Sequence, residues 1–104
     1  MFDELARLTT PAFMYRPCAT EIQDISEAFL IIKQYDKVII EKSLTDAYVD
    51  ENYIVWELDQ VDTQKLDIKN VAKVKIDYIT LNGERYTTHE KTYKIIDSGK
   101  QEVI

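Results

Sequence analysis

His89 is the only histidine of the 104-residue chain, and it sits in the polar run Thr87-Thr88-His89-Glu90. A metal site needs further Cys or His ligands at suitable spacing, and none accompanies it. His89 is therefore expected to be a plain surface residue. Cys18 is the only cysteine. With no histidine near it in sequence it is expected to be a small apolar side chain rather than a nucleophile. The carboxylates Asp46, Asp50, Glu51, Glu57, Asp59, Asp62 and Asp67 crowd one region. Two of them could in principle work as an acid/base pair. They fall mainly at turns and helix starts, where capping accounts for them. Asp59, Asp62 and Asp67 also lack the glycine and terminal glutamate of a calcium loop. Gly83 and Gly99 are the only glycines and stand apart. No phosphate loop, dinucleotide fingerprint or nucleophile elbow is present. The expectation is a non-enzyme with no catalytic residues, no cofactor and no metal.

Aromatic residues are plentiful, and Phe13, Tyr15, Tyr35, Tyr48, Tyr53, Tyr86 and Tyr93 could stack on bases or sugars. Base stacking usually comes with interleaved cations, which this sequence lacks, so core and interface packing is expected instead. The net charge is −6, and only Arg7 and Arg16 precede Arg85 among the arginines. Nucleic acid is thus not an expected partner. The longest apolar run, Ala28 to Ile32, falls far short of the roughly 20 residues that cross a bilayer. No apolar stretch follows a basic start, so no signal peptide is expected. A single cysteine excludes an intrachain disulfide framework, which suits a chain made and folded in the cytoplasm.

The elements that would position these residues read mainly as strands. Residues 1–8 are expected to be an N-terminal arm, a short helical turn with Phe2, Leu5 and Leu8 at spacing three, docked on its own domain or a neighbour. Residues 9–104 are expected to form one domain. Ala12 to Tyr15 is a first strand, with Pro17 at its end. Ala28 to Gln34 and Val38 to Leu44 read as a hairpin around Tyr35-Asp36-Lys37. Alternation points Leu30, Ile32, Val38 and Ile40 inward. It sends Phe29 and Ile31 to a second face, more apolar than solvent alone explains. Val55 adds to that impression. Tyr53 to Leu58 is a strand with Ile54, Trp56 and Leu58 inward, and Trp56 is a core anchor. Near residues 60–66 the alternation breaks into a short helical turn capped by Asp59, with Val61 and Leu66 packing down. Val71 to Ile79 alternates, with Val74, Ile76 and Tyr78 inward. Asn82-Gly83 marks a hairpin, since both residue types tolerate positive φ. A return strand runs from Arg85 to Asp97.

About six or seven strands without intervening long helices exclude a parallel βαβ sheet. The expected fold is all-β, an antiparallel sandwich of immunoglobulin-like character, with a small barrel as the alternative.

The order of elements resembles small immunoglobulin-like structural proteins of tailed phages and prophages. The matching residues are Thr10-Pro11 with Met14-Tyr15-Arg16, Gln34, and Lys37 to Leu44. They continue with Leu58 to Leu66, Lys73 to Ile76, Asn82-Gly83 and Val103-Ile104. The chain departs from the pattern in its N-terminal arm and at Pro17-Cys18. The resemblance implies a structural component of a virion head, neck, tail or fibre. Its partners would be other virion proteins or copies of itself in a homo-oligomer, with no membrane involved. The alternative is a monomeric module that binds a protein or glycan, or a small acidic cytosolic inhibitor whose charge steers a basic partner.

Overall fold

The computed structural model describes residues 3–7, 9–17 and 20–97. These residues are mostly β, with one α-helical turn. The strands are β1 (Asp3–Ala6), β2 (Ala12–Tyr15), β3 (Ile25–Gln34), β4 (Lys37–Ser43) and β5 (Tyr48–Asp50). They continue with β6 (Tyr53–Glu57), β7 (Ala72–Thr80), β8 (Arg85–Thr87) and β9 (Lys91–Ile96), and the helical turn α1 (Gln60–Gln64) lies between β6 and β7. Two open sheets result. The larger has the order β1-β9-β7-β3-β4, with β8 also paired to β7, and the smaller has the order β2-β6-β5. All pairs are antiparallel except β1 with β9.

Period-two alternation builds the core. β3 buries Ala28, Leu30, Ile32 and Gln34, and β7 buries Ala72, Val74, Ile76, Tyr78 and Thr80. Ile54, Trp56 and Leu58 from the smaller sheet's side join the same cluster, so both sheets share one core. Trp56 is fully buried, and its indole N–H donates to the Ser43 carbonyl at 2.9 Å. An indole at this depth without an acceptor would forfeit most of what its area contributes.

The turns are built differently from what their sequences suggest. Tyr35 and Asp36 both take positive φ, 53° and 60°, and close β3 onto β4 without a glycine. At the second hairpin only Gly83 is left-handed, with φ 85°. The Gly83 N–H donates to the Thr80 carbonyl and the Thr80 N–H to the Glu84 carbonyl. That pattern is a three-residue loop with a bulge at the glycine. Asn82 serves as an ordinary turn residue, and the left-handed conformation falls on Gly83 alone.

Other corrections have equally local causes. Asp3–Ala6 is a strand rather than a helical turn, paired in parallel with Tyr93–Ile96, and Leu5 lies in the core. A few residues cannot sustain a helix, whereas the free edge of β9 supplies ladder partners. Val38 is exposed because the β3–β4 register slips between Ile32 and Lys33. Leu66, just past α1, packs down as expected, but Val61 within α1 is exposed, because the turn presents Asp62 and Thr63 to the interior instead. The return strand is interrupted at residues 88–90. There the Thr88 hydroxyl accepts the Ile76 N–H at 2.9 Å while the Thr88 N–H donates to the Ile76 carbonyl. The side chain thus takes the place of a ladder carbonyl, and the chain accommodates one extra residue between β8 and β9 opposite β7. Phe2, Leu8, Cys18, Gly99 and Val103-Ile104 lie outside the described residues.

Candidate interaction surface

The residues that could do chemistry are dispersed. His89 is exposed in the break between β8 and β9. Among the described residues no group of three or more His, Cys, Asp or Glu side chains is placed to hold a metal ion. Asp50 and Glu51 are exposed at the β5–β6 turn, and the other carboxylates of that region are engaged in local structure. Asp46 accepts the Ser43 N–H at 2.9 Å, and Asp59 accepts the Asp62 N–H at 2.8 Å. Asp62 lies against Lys42 at 3.1 Å, and Glu57 accepts the Tyr48 hydroxyl at 2.8 Å. Asp67 accepts both the Tyr35 hydroxyl and the Lys69 N–H.

These contacts set the titration of their groups. The Asp62 N–H holds Asp59 below the usual carboxylate range, with the Lys42 charge acting the same way. The Lys69 N–H, then the Tyr35 hydroxyl, does the same for Asp67. The hydroxyls of Tyr35, Tyr48 and Tyr86 are raised chiefly by donating to Asp67, Glu57 and Glu84. Their bound carboxylates oppose a second negative charge, so all three stay neutral around pH 7.

The apolar second faces are borne by both sheets. On the smaller sheet, Met14 pairs with Val55 and Val55 with Tyr48. The three make one row across the side away from the core. Val55 is only 3% exposed although it lies outside the main core cluster, while Met14 and Tyr48 are 56% and 50% exposed.

On the larger sheet, β3 sends Glu27, Phe29, Ile31 and Lys33 away from the core, and β7 sends Lys73, Lys75, Asp77 and Ile79. Cross-strand partners are Glu27 with Ile79, Phe29 with Asp77, Ile31 with Lys75, and Lys33 with Lys73. Lys75 reaches Asp77 at 3.7 Å, and the Thr87 hydroxyl donates to Asp77. A groove of about 340 Å³ runs along this face, with Phe29, Asp77, Ile79 and Arg85 among its walls. Phe29 and Ile31 were visible in the sequence as outward apolar residues. Lys73, Lys75 and Asp77 also read as outward from alternation, but only the β3–β7 register sets them and Ile79 beside Phe29 and Ile31.

A ring series crosses between the sheets at one end of the core. Tyr15 on β2 lies 6.0 Å from Tyr78 on β7, which stacks on Tyr86 of β8 at 5.1 Å. Phe13 meets Tyr93 edge-on at 5.8 Å. Of the aromatics considered for stacking on a ligand, Phe13, Tyr15, Tyr86 and Tyr93 are thus engaged within the protein. No helix among the described residues is long and apolar enough to cross a membrane.

Comparison with known protein families, with curated proteins and with solved structures finds no match.

Proposed function

We propose that the protein is a non-enzymatic structural component of a tailed-phage or prophage virion, an immunoglobulin-like sandwich that assembles with itself or with other virion proteins. The observation that carries the fold part is the strand order. If β2 to β7 are lettered B, C, C′, D, E and F, and the β8–β9 segment G, the smaller sheet reads B-E-D and the larger reads G-F-C-C′. That order supports an immunoglobulin-type sandwich, with β1 added in parallel beyond G. The helical turn α1 falls at the E–F corner. The chain departs from antibody domains in having one cysteine and in carrying Trp56 on E rather than on C.

The functional part is supported by the resemblance at Lys37 to Leu44 and Leu58 to Leu66, and by apolar residues on the outward faces of both sheets. Outward apolar rows flanked by charge suit protein contacts better than a small-molecule site. The test is direct. Particles induced from the encoding strain are purified on a density gradient, and peptides of this chain are sought by mass spectrometry. Peptides that co-sediment with the particles at a fixed ratio to the capsid protein support the reading. Their absence from intact particles overturns it.

A further inference from the structure

Along β3 the outward residues run Glu27, Phe29, Ile31, Lys33: an acid, two apolar residues, a base. The series is its own complement when reversed. We propose that the outward face of the larger sheet is a two-fold interface to a second copy of this chain, with the β3 strands of the two copies antiparallel across it. The inference deepens the assembly reading given above and rests on it.

A two-fold axis lying between the faces, perpendicular to the strands, keeps each strand over its own copy and reverses the rows. Lys33 then lies over Glu27 of the second copy, and Ile31 over Phe29. On β7, Lys75 lies over Asp77, which extends the Lys75–Asp77 pair already present in each copy into a four-charge network. Lys73 falls over Ile79. On the flanking strands, Glu41 and Ser43 pair with Ile31 and Phe29. Glu41 therefore meets Ser43. Thr92 pairs with Lys73, and Arg85 with Ile79. Thr92 therefore meets Arg85. No like charges meet in this arrangement.

A feature of the single copy points the same way. Lys33 and Lys73 are direct cross-strand neighbours, and neither pairs with a carboxylate among the described residues. Like charges set opposite one another destabilise a sheet. Glu27 of a second copy supplies the missing counter-charge, beside an apolar centre of Phe29 and Ile31.

The test is a charge swap read by light scattering over about a hundredfold range of concentration, where mass action separates a reversible dimer from a monomer. The wild-type chain is expected to dimerise. Lys33→Glu and Glu27→Lys should each weaken dimerisation about tenfold or more, because each sets like charges face to face. The double swap should restore it to within about threefold of wild type, since the pair is re-formed with its signs exchanged. Thermal unfolding of Lys33→Glu checks that the fold survives. The change relieves the Lys33–Lys73 repulsion, so stability should not fall. A wild-type dimer that ignores both single swaps, or a double swap that fails to recover, overturns this surface and leaves self-assembly standing. A wild-type chain that stays monomeric throughout overturns the two-fold contact and self-assembly together, and leaves the face to a different protein.

Discussion

The side chain of Gln34 holds Asp67 as a neighbouring strand would. Its Nε2 donates to the Asp67 carbonyl at 2.8 Å, and its Oε1 accepts the Asp67 N–H at 2.8 Å. The same Nε2 also donates to the Asn70 carbonyl at 3.1 Å. Gln34 is 2% exposed at the end of β3, so a polar side chain occupies a core position without an unmet hydrogen bond. The loop from α1 to β7 is fixed to the sheet by this amide.

Replacing Gln34 with Leu should therefore cost about 3 kcal/mol, because the part-buried backbone groups of Asp67 and Asn70 lose their partner. Urea unfolding measures the loss. Hydrogen exchange at Asp67 should accelerate beyond the global change. A stability within about 0.5 kcal/mol of wild type would show that the amide does not hold the loop.

Thr63 plays a comparable part between the sheets. Its hydroxyl accepts the Thr9 N–H at 3.1 Å and donates to the Thr9 carbonyl at 2.9 Å, at a fully buried position. Thr63→Val keeps the shape and removes both bonds, with an expected loss of about 2 kcal/mol. Thr63→Ser keeps the hydroxyl and removes one methyl group, so it should lose about 1 kcal/mol. The order of the two melting temperatures is the check. Equal losses would mean that packing, not hydrogen bonding, matters at this site.

At Gly83 a Cβ would meet no atom within 4 Å, so any cost of substitution there is backbone strain alone. With φ at 85°, Gly83→Ala should lose about 1 kcal/mol. Gly83→Asn should lose less, because asparagine tolerates left-handed backbone. Chemical denaturation of the pair decides between strain and a hidden clash. If alanine and asparagine cost the same, backbone strain does not explain the glycine.

Stability should fall at both ends of the pH scale. The depressed Asp59 and Asp67 contribute stability that is present above their unfolded pKa of about 4. It is lost as pH falls through their lower folded values. The raised Tyr35, Tyr48 and Tyr86 contribute stability present below their unfolded pKa of about 10. It is lost as pH rises through their higher folded values. Melting temperature should thus be lower at pH 3 and at pH 11 than near neutrality. Tyr35→Phe should flatten part of the alkaline loss, because it removes one of the three raised phenols.

Much of the fold was legible in the chain because the relevant signals are local. β7 and β6 alternate in the sequence itself, and Val74, Ile76, Tyr78, Ile54 and Trp56 face the core as that alternation requires. Asp59 stands ahead of α1 and caps it with Asp62 in a reciprocal pair. Tyr35 and Asp36 form a hairpin turn that the flanking apolar runs implied, although their positive φ did not follow from their types.

What the sequence could not decide is which strands meet. Asp3–Ala6 has helical spacing on paper, and it is a strand because β9 has a free edge beside it. Val38 is turned outward by a slip of register that only the pairing with β3 reveals. The outward face follows the same logic. Phe29 and Ile31 announce themselves by alternation, but Lys33 meets Lys73 and Glu27 meets Ile79 only through the register of two strands some forty or more residues apart. Alternation is written into each segment by its own residues. Register depends on how distant segments bury their faces against a common core, so it belongs to the tertiary structure alone.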